Sequence, residues 1–376
     1  MSSIVDIPSQ DNQEMKKRHV VPLLLTSDGD KQSFYSLIEN RYKTISHPVL
    51  EGKRILGSAY GWLVLTNSNL LADPGDCCLW NPESRENIQL PQLDGFYDRC
   101  VLSKPPTDPD CLVVFKSYCN FELTIGRIND AEFVRVSFED SIVAISSFRG
   151  EIYGLVKFGA YYELVTIHLV GKTVELKSLL INGKDHLEVP ELWRSWVTSQ
   201  RNYLIESPGG AGDFFLVIKM ISSIGIRDGG EVEFRVFRLN VNGLVCVELE
   251  DLDGHTIFIS DWGDGFCCPS SEMSTIKPNS IYYTNMCGRV MCVYDLDDRS
   301  ITPLLPSPVA RRHMSVNYWI NLPGILPSIV NLLEESDSMN CRVLFSRLDY
   351  LRLERIVGSS AAKRMVDSEK VVFVFA

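Results

Sequence analysis

A recurring pattern restricts this chain more than any single residue does: an alternating apolar strand, a tight polar turn, and a second alternating strand. It occurs as LTIGRINDAEFVRVSF (Leu123 to Phe138), LVTIHLVGKTVELKSL (Leu164 to Leu179) and FRVFRLNVNGLVCVEL (Phe234 to Leu249). A period of two is that of a half-buried strand, and Asn242-Gly243 in the last copy is a strong hairpin dipeptide. Cruder copies are CLWNPESRENIQLP from Cys78 and CVYDLDDRSITPLLP from Cys292. With Trp80, Ile125, Ile167, Phe237 and Tyr294 as equivalents, the spacings are 45, 42, 70 and 57 residues. A repeat of roughly 40 to 50 residues made of short strands is that of a propeller blade.

Two further strand pairs, Ile142 to Ile145 with Arg149 to Tyr153, and Tyr203 to Glu206 with Phe214 to Met220, stand just ahead of a recurrent hairpin. That is the order a four-stranded blade requires. The predicted fold class is therefore all-β, a β-propeller of about six to seven four-stranded blades with a short helical C-terminal extension. A pair of β-sandwiches would also produce short strands with frequent turns, and it is the alternative.

The stretch from Gly57 to Pro91 reads as one unit. Gly57 and Gly61 bracket a turn, Trp62 to Leu65 and Cys78 to Trp80 are apolar strands, and Ile88 to Pro91 alternates after a polar turn. The chain divides into a disordered tail over 1–19, the propeller over 20–327 and a C-terminal extension over 328–376. Val20 to Leu25 is a first strand, ended by the turn signal Thr26-Ser27-Asp28-Gly29. His186 to Gln200 has helical spacing and accounts for the widest gap between repeats. Ile325 to Glu335 predicts a short helix, and Leu344 to Val357 an amphipathic one. Val371 to Phe375 is a last apolar strand, expected to pair with Val20 to Leu25 and so protect the sheet edges.

The formal charge of -11 argues against nucleic acid, since phosphates are repelled unless a local basic face overrides the total. No apolar run is long enough to cross a membrane as a helix, so no membrane partner is expected. Eleven cysteines, an odd number without Cys-x-x-Cys spacing, together with no Asn-x-Ser/Thr acceptor and no apolar leader, point to a reducing compartment, the cytoplasm and/or the nucleus.

The blocks GSAYGWLVL, LWNPESRENIQLP, RNYLIES with DFFLVIKM (Arg201 to Met220), VEFRVFRLNVNGLVCVELEDLDGHTIFIS (Val232 to Ser260), and NSIYYTN followed by VYDLDD resemble the plant DUF295 domain. This is the kelch-like propeller of many plant F-box proteins and of the KIB group. The resemblance runs from Val20 to Pro327 and rests on the collinear set of blocks rather than on any one of them. It implies a propeller that holds a protein partner. In F-box members of the family, an N-terminal helical motif also binds the Skp1 adaptor of a Cullin-based ubiquitin ligase. Here about 19 polar residues precede the domain, and the helix-like stretch Phe34 to Tyr42 falls inside it without the motif, so no F-box is recognised and Skp1 and Cullin remain open.

No residue pattern points to catalysis, a cofactor or a metal. The adjacent pairs Cys77-Cys78 and Cys267-Cys268 would point to opposite faces of a strand and are expected in the core. Gly209-Gly210-Ala211-Gly212-Asp213 lacks the lysine of a phosphate loop and reads as a turn. His19, His47, His168, His186, His255 and His313 form no motif. Asp261, Asp264, Asp295, Asp297 and Asp298 lack calcium-loop spacing and are expected in exposed turns. Trp62, Trp80 and Trp262 are expected as core or rim anchors. The expected function is a non-enzymatic protein-interaction module for a protein of unknown identity, a substrate receptor or decoy related to SCF-type ubiquitin ligases. The alternatives are a hydrolase or lyase working at a propeller mouth, and an organellar paralogue with a changed role.

Overall fold

The computed structural model describes residues 22–28, 31–37, 41–45, 48–67, 75–159, 161–180, 187–188, 197–207, 213–222, 232–260, 265–272, 275–285, 290–304, 316–321, 343–345 and 371–373. Strands β1 (Pro22–Asp28), β2 (Lys31–Ser36) and β3 (Arg41–Ile45) are followed by a blade of β4 (Lys53–Ala59), β5 (Trp62–Asn67), β6 (Gly75–Trp80) and β7 (Asn87–Leu93). The next blade is β8 (Tyr97–Leu102), β9 (Leu112–Ser117), β10 (Glu122–Arg127) and β11 (Val134–Ser137). A third contains β12 (Ser141–Phe148), β13 (Glu151–Phe158), β14 (Tyr161–Val170) and β15 (Thr173–Leu179), with the two-residue β16 (Leu187–Glu188) beside the start of β14. A fourth contains β17 (Val197–Glu206), β18 (Asp213–Ser222), β19 (Val232–Asn240) and β20 (Val245–Leu249). The fifth runs in the order β22 (Gly265–Pro269), β21 (His255–Ile259), β23 (Ser280–Asn285), β24 (Val290–Asp295) and β25 (Ile301–Leu304).

The recurrent hairpins of the sequence are the outer pairs of these blades: β6–β7, β10–β11, β14–β15, β19–β20 and β24–β25. Their alternation follows from position, since an outer strand has one covered face and one wet face. Inner strands are covered on both faces and read as continuous apolar runs, as in the fully buried Leu63, Val64 and Leu65 of β5.

The described blades made wholly of consecutive strands number five, fewer than the six to seven expected. The wide spacings in the repeat come from longer strands and an added hairpin. β17 and β18 are ten residues each, and the fifth blade carries β21 and β22 ahead of its β23 to β25 hairpins. The register of β21 on β23 is parallel, Thr256 facing Ser280, while β21 and β22 are antiparallel.

A four-stranded sheet of mixed origin completes the circle. β26 (Val316–Asn321) pairs with β1, Leu24 opposite Trp319, and lies at the edge opposite β3. The edges β26, β4, β8, β12, β17 and β22 pack one against the next around the ring. Closure was expected from Val371 to Phe375, but Val371–Phe373 pairs in parallel with Val343–Phe345. The latter is a strand where an amphipathic helix was expected to begin; no helical extension stands among the described residues, and the remainder of 328–376 lies outside them.

Three local expectations also change. Phe34 to Tyr42 is not helical: Phe34 and Tyr35 are buried in β2, and Tyr42 belongs to β3. At Asn242-Gly243 the chain makes a four-residue turn with Asn240 facing Val245; the Gly243 amide donates to Asn240 Oδ1, and the left-handed residue is Leu244 (φ 53°). Of the segment expected to be helical after His186, Leu187–Glu188 and Val197 onward are strands, and 189–196 lie outside the described residues.

The core is a set of layers between neighbouring blades. One joins Leu79, Trp62 and Cys77 to Leu102 and Phe115, another joins Leu155 and Phe148 to Phe214 and Leu216, and a third joins Tyr203 and Val236 to Ile257 and Tyr283. Gly265, at the start of β22, sits where a Cβ would meet Phe258 O at 2.7 Å and Ile205 Cδ1 at 2.9 Å. Gly265→Ala is expected to cost about 1–3 kcal/mol through overpacking, read as a lower urea midpoint with an unchanged slope; an unchanged midpoint would show that β22 is loosely held against β17.

Candidate functional site

Charge is segregated along the inner and second strands of the four consecutive blades from β4 to β20. Those eight strands carry Lys53, Arg54, Arg99, Lys116, Lys157, Arg201 and Lys219, with Asp98, toward one end, and Glu151, Glu206 and Asp213 at the other. Cross-blade contacts tie the cationic positions to a common end. Arg54 Nη2 donates to Tyr97 O at 2.8 Å. The Ile142 amide at the head of β12 donates to Asn120 O at 2.7 Å, and Lys157 Nζ reaches Gln200 Oε1 at 3.5 Å. Lys116 is close enough to Arg99 and Arg201 for both to disfavour its charge. The opposite end is tied by Tyr60, whose hydroxyl donates to Ser103 O at 3.0 Å and feels the charge of Glu206.

At the centre of the cationic end, Lys116 Nζ sits 2.9 Å from Asp98 Oδ1 and 2.6 Å from Asn120 Oδ1. Their side chains are 3% exposed for Lys116 and 13% for Asp98. Burial lowers the Lys116 pKa and raises that of Asp98, in each case against the pull of the partner charge, so desolvation outweighs the ion pair. Arg99, opposite Lys116 in the β8–β9 register, is buried and lowered to about 10 by the same cause.

Exposed aromatic side chains on two neighbouring turns flank these charges. The turn from Tyr118 to Phe121 passes over the starts of β8 and β12, held by the Tyr118 amide on Phe96 O at 3.0 Å and the Phe138 amide on Phe121 O at 2.8 Å. Asn120 takes the left-handed conformation there (φ 66°), which a short polar side chain tolerates. Arg54 stacks on Phe96 at 4.4 Å, and Phe96 packs on Tyr118 at 5.3 Å. One blade further, the β13–β14 turn presents Phe158 and Tyr161. Tyr118, Phe121, Phe158 and Tyr161 are 40–48% exposed, an unusual grouping for large aromatic side chains on neighbouring turns.

The residues singled out by sequence fall elsewhere. Trp62 and Trp80 are core residues, and Trp262 lies outside the described set. Cys267 and Cys268 enter different layers, as strand alternation requires, while Cys77 and Cys78 are both buried. Burial pushes the thiols of Cys77, Cys100 and Cys267 far above their ordinary range and that of Cys292 up to about 12, so they remain protonated at neutral pH. Asp297 and Asp298 lie in an exposed turn, but Asp295, expected there too, is buried and pairs with Lys277.

His168 Nε2 meets Thr166 Oγ1 at 2.8 Å, and His255 Nδ1 meets Leu252 O at 2.8 Å. His255 borders an open hollow of about 560 Å³ with Asp253, Ser270 and Pro278. His19, His47, His186, His313, Asp261, Asp264 and 209–212 of the glycine-rich run lie outside the described residues. Among the described residues no three His, Cys, Asp or Glu side chains gather as a metal site would need, and no helix is long and apolar enough to cross a membrane.

The family model of the KIB1-4 beta-propeller matches residues 34–295, well over half of the chain. The chain belongs to that family. This KIB1-4 propeller also matches "Protein NUCLEOLAR FACTOR 1" of Arabidopsis thaliana, at 60% identity over 50 residues; the match covers 13% of the chain and 7% of that protein's length. Among solved structures, a protein from Lactobacillus plantarum is similar with a TM-score of 0.42, 10% identity and coverage of 76% of this chain and 82% of the other. A chain of the nidogen/laminin complex gives 0.38 and 12%, covering 76% and 94%, and Kuenenia stuttgartiensis hydrazine synthase gives 0.37 and 9%, covering 73% and 89%.

The Asp98–Lys116 pair yields a stability test. Asp98→Asn leaves a buried cation without its carboxylate and is expected to lower stability by about 3 kcal/mol at neutral pH. Lys116→Met leaves a carboxyl that a proton can neutralise. Its folded pKa then lies further above the unfolded value, so the folded state holds the extra proton, and the variant's stability falls as pH rises from the unfolded toward the folded pKa. Urea titrations across that range check both; an Asp98→Asn variant as stable as the native chain would show that the pair is solvated.

Proposed function

We propose that this KIB1-4 propeller is a non-enzymatic protein-interaction module whose partner docks on the cationic, aromatic-rimmed end of the ring. The observation that carries the reading is the exposure of Tyr118, Phe121, Phe158 and Tyr161 on turns of adjacent blades, around buried and half-buried cations. Aromatic side chains and arginine supply most of the binding energy in protein interfaces, and a grouping of this kind on rigid turns is a fitting anchor. The β13–β14 turn spans only Gly159 and 160 between paired strands, and the β9–β10 turn is pinned by backbone bonds to β12 and to the start of β8. The anchors are thereby pre-organised, which limits the entropy lost on binding.

Within that reading, the module serves as a substrate receptor or a decoy related to SCF-type ubiquitin ligases, as the resemblance to F-box relatives suggests. The test is recovery of partners by the tagged full-length chain from plant tissue, beside the Tyr118→Ser/Phe121→Ser variant. A partner held by the native chain and lost from a folded variant supports docking at this end. Retention by the variant overturns it. Skp1 and Cullin in the recovered complex would support the receptor reading, and a partner without them the decoy.

A further inference from the structure

We infer that the occupant of this end is an acidic segment of a protein partner, a stretch rich in Asp and Glu carrying an apolar residue for the aromatic rim. The inference rests on the docking reading above and names its chemistry. On the eight inner and second strands from β4 to β18, seven cations and one carboxylate stand at this end, in a chain whose total charge is -11. The remaining carboxylates on those strands, Glu151, Glu206 and Asp213, stand at the far end. Such an arrangement makes a field directed along the strands toward the cationic end, where low-dielectric surroundings strengthen it.

Other charged groups at the same end sit further out. Glu51, Asp94 and Glu139 are exposed on the connections, Asp140 is half-buried just before β12, and Glu122 is taken up by Arg135 at 2.6 Å. Exposed carboxylates on connections are screened by water and salt far more than strand cations at 2–7% exposure such as Arg54, Arg99, Lys116 and Lys219. Arg201 and Lys157 supply the reachable charge: Arg201 is exposed on β17, and Lys157 is half-buried beside Tyr162. Next to them Phe158 and Tyr161 offer ring faces and edges for an apolar side chain. The surface therefore combines a central charge with an apolar fringe. A carboxylate-rich segment with an interspersed apolar residue complements both, and the acidic outer connections disfavour partners that present uniform, dense negative charge over a wide footprint.

The test uses the full-length chain and a short fluorescein-labelled peptide of glutamates around one phenylalanine, beside its glutamine analogue, a phosphoserine peptide of equal length and a single-stranded RNA. Binding of the glutamate peptide that weakens with salt, with the glutamine analogue inert, is expected. Arg201→Glu combined with Lys157→Gln is expected to weaken it about tenfold or more, with circular dichroism and urea midpoint unchanged. Equal binding of the glutamine analogue, tighter binding of the phosphopeptide or RNA, or indifference to the charge variant each overturns the inference. The docking reading fails separately: it falls if a natural partner survives Tyr118→Ser/Phe121→Ser, and it stands if that variant releases the partner while the charge variant does not.

Discussion

The pairing of β1 with β26 holds the ring together, because it joins strands nearly three hundred residues apart in sequence and leaves no gap between the edges of β26 and β4. A propeller blade alone has a short edge and an apolar face; only its neighbours cover that face. Five of the layers between blades are apolar clusters of this kind, and each loses a wall if the ring opens. Closure by six residue pairs is therefore the contact on which the remaining packing is conditional, and its cost in loop entropy grows only slowly with the length enclosed.

A closed ring fixes where the inner strands begin, and this turns an ordinary sequence feature into a surface. Lys53, Arg54, Arg99, Lys157 and Arg201 are scattered over about 150 residues, yet the first four lie near an end of an inner or second strand and Arg201 lies midway along β17. Lys116 and Arg99 face each other across a register, as do Arg201 and Lys219. Repulsion between such pairs is tolerated because Asp98 sits inside the first, and the Lys219 ammonium donates to Thr284 O while lying 4.6 Å over the Tyr283 ring. The price of gathering like charges is met by burial elsewhere in the blades.

Much of the fold was legible in the chain. The hairpins at Leu123, Leu164 and Phe234 were visible because outer strands alternate, and Cys78 and Cys292 marked two more of the same kind. Closure was not legible, since Val316–Asn321 and Val371–Phe373 are both short apolar strands and periodicity says nothing about which edge either will meet. The blade count erred because a 70-residue spacing can hold either an extra blade or two ten-residue strands, and residue pattern alone does not separate them. At the candidate site, Trp62 and Trp80 drew notice by size and proved to be core, whereas Tyr118, Asn120 and Phe121 lie between two strands and belong to no motif. A partial signal was present: Lys53-Arg54 and Asp98-Arg99 open β4 and β8, Lys116 and Lys157 close β9 and β13, and Glu151 and Glu206 stand at the other end of their strands.

That segregation has a structural consequence apart from any partner. In the blade of β8 to β11, buried Lys116 is balanced by Asp98, the neighbour of its register partner Arg99, and burial works against both charges at once. Replacing such a pair with apolar groups is often neutral for stability. Keeping Asp98 and Lys116 buried in a strand pair whose other members include Val113, Val114, Phe115 and Leu102 is then better explained by what the charges do at the mouth than by what they add to the fold. Lys116 anchors the Asn120 turn through its 2.6 Å contact, and that turn carries Tyr118 and Phe121 to the surface. Charge, turn and aromatic rim are thus one mechanical unit, in which an anion at the mouth and an apolar group on the rim would meet elements already tied to each other.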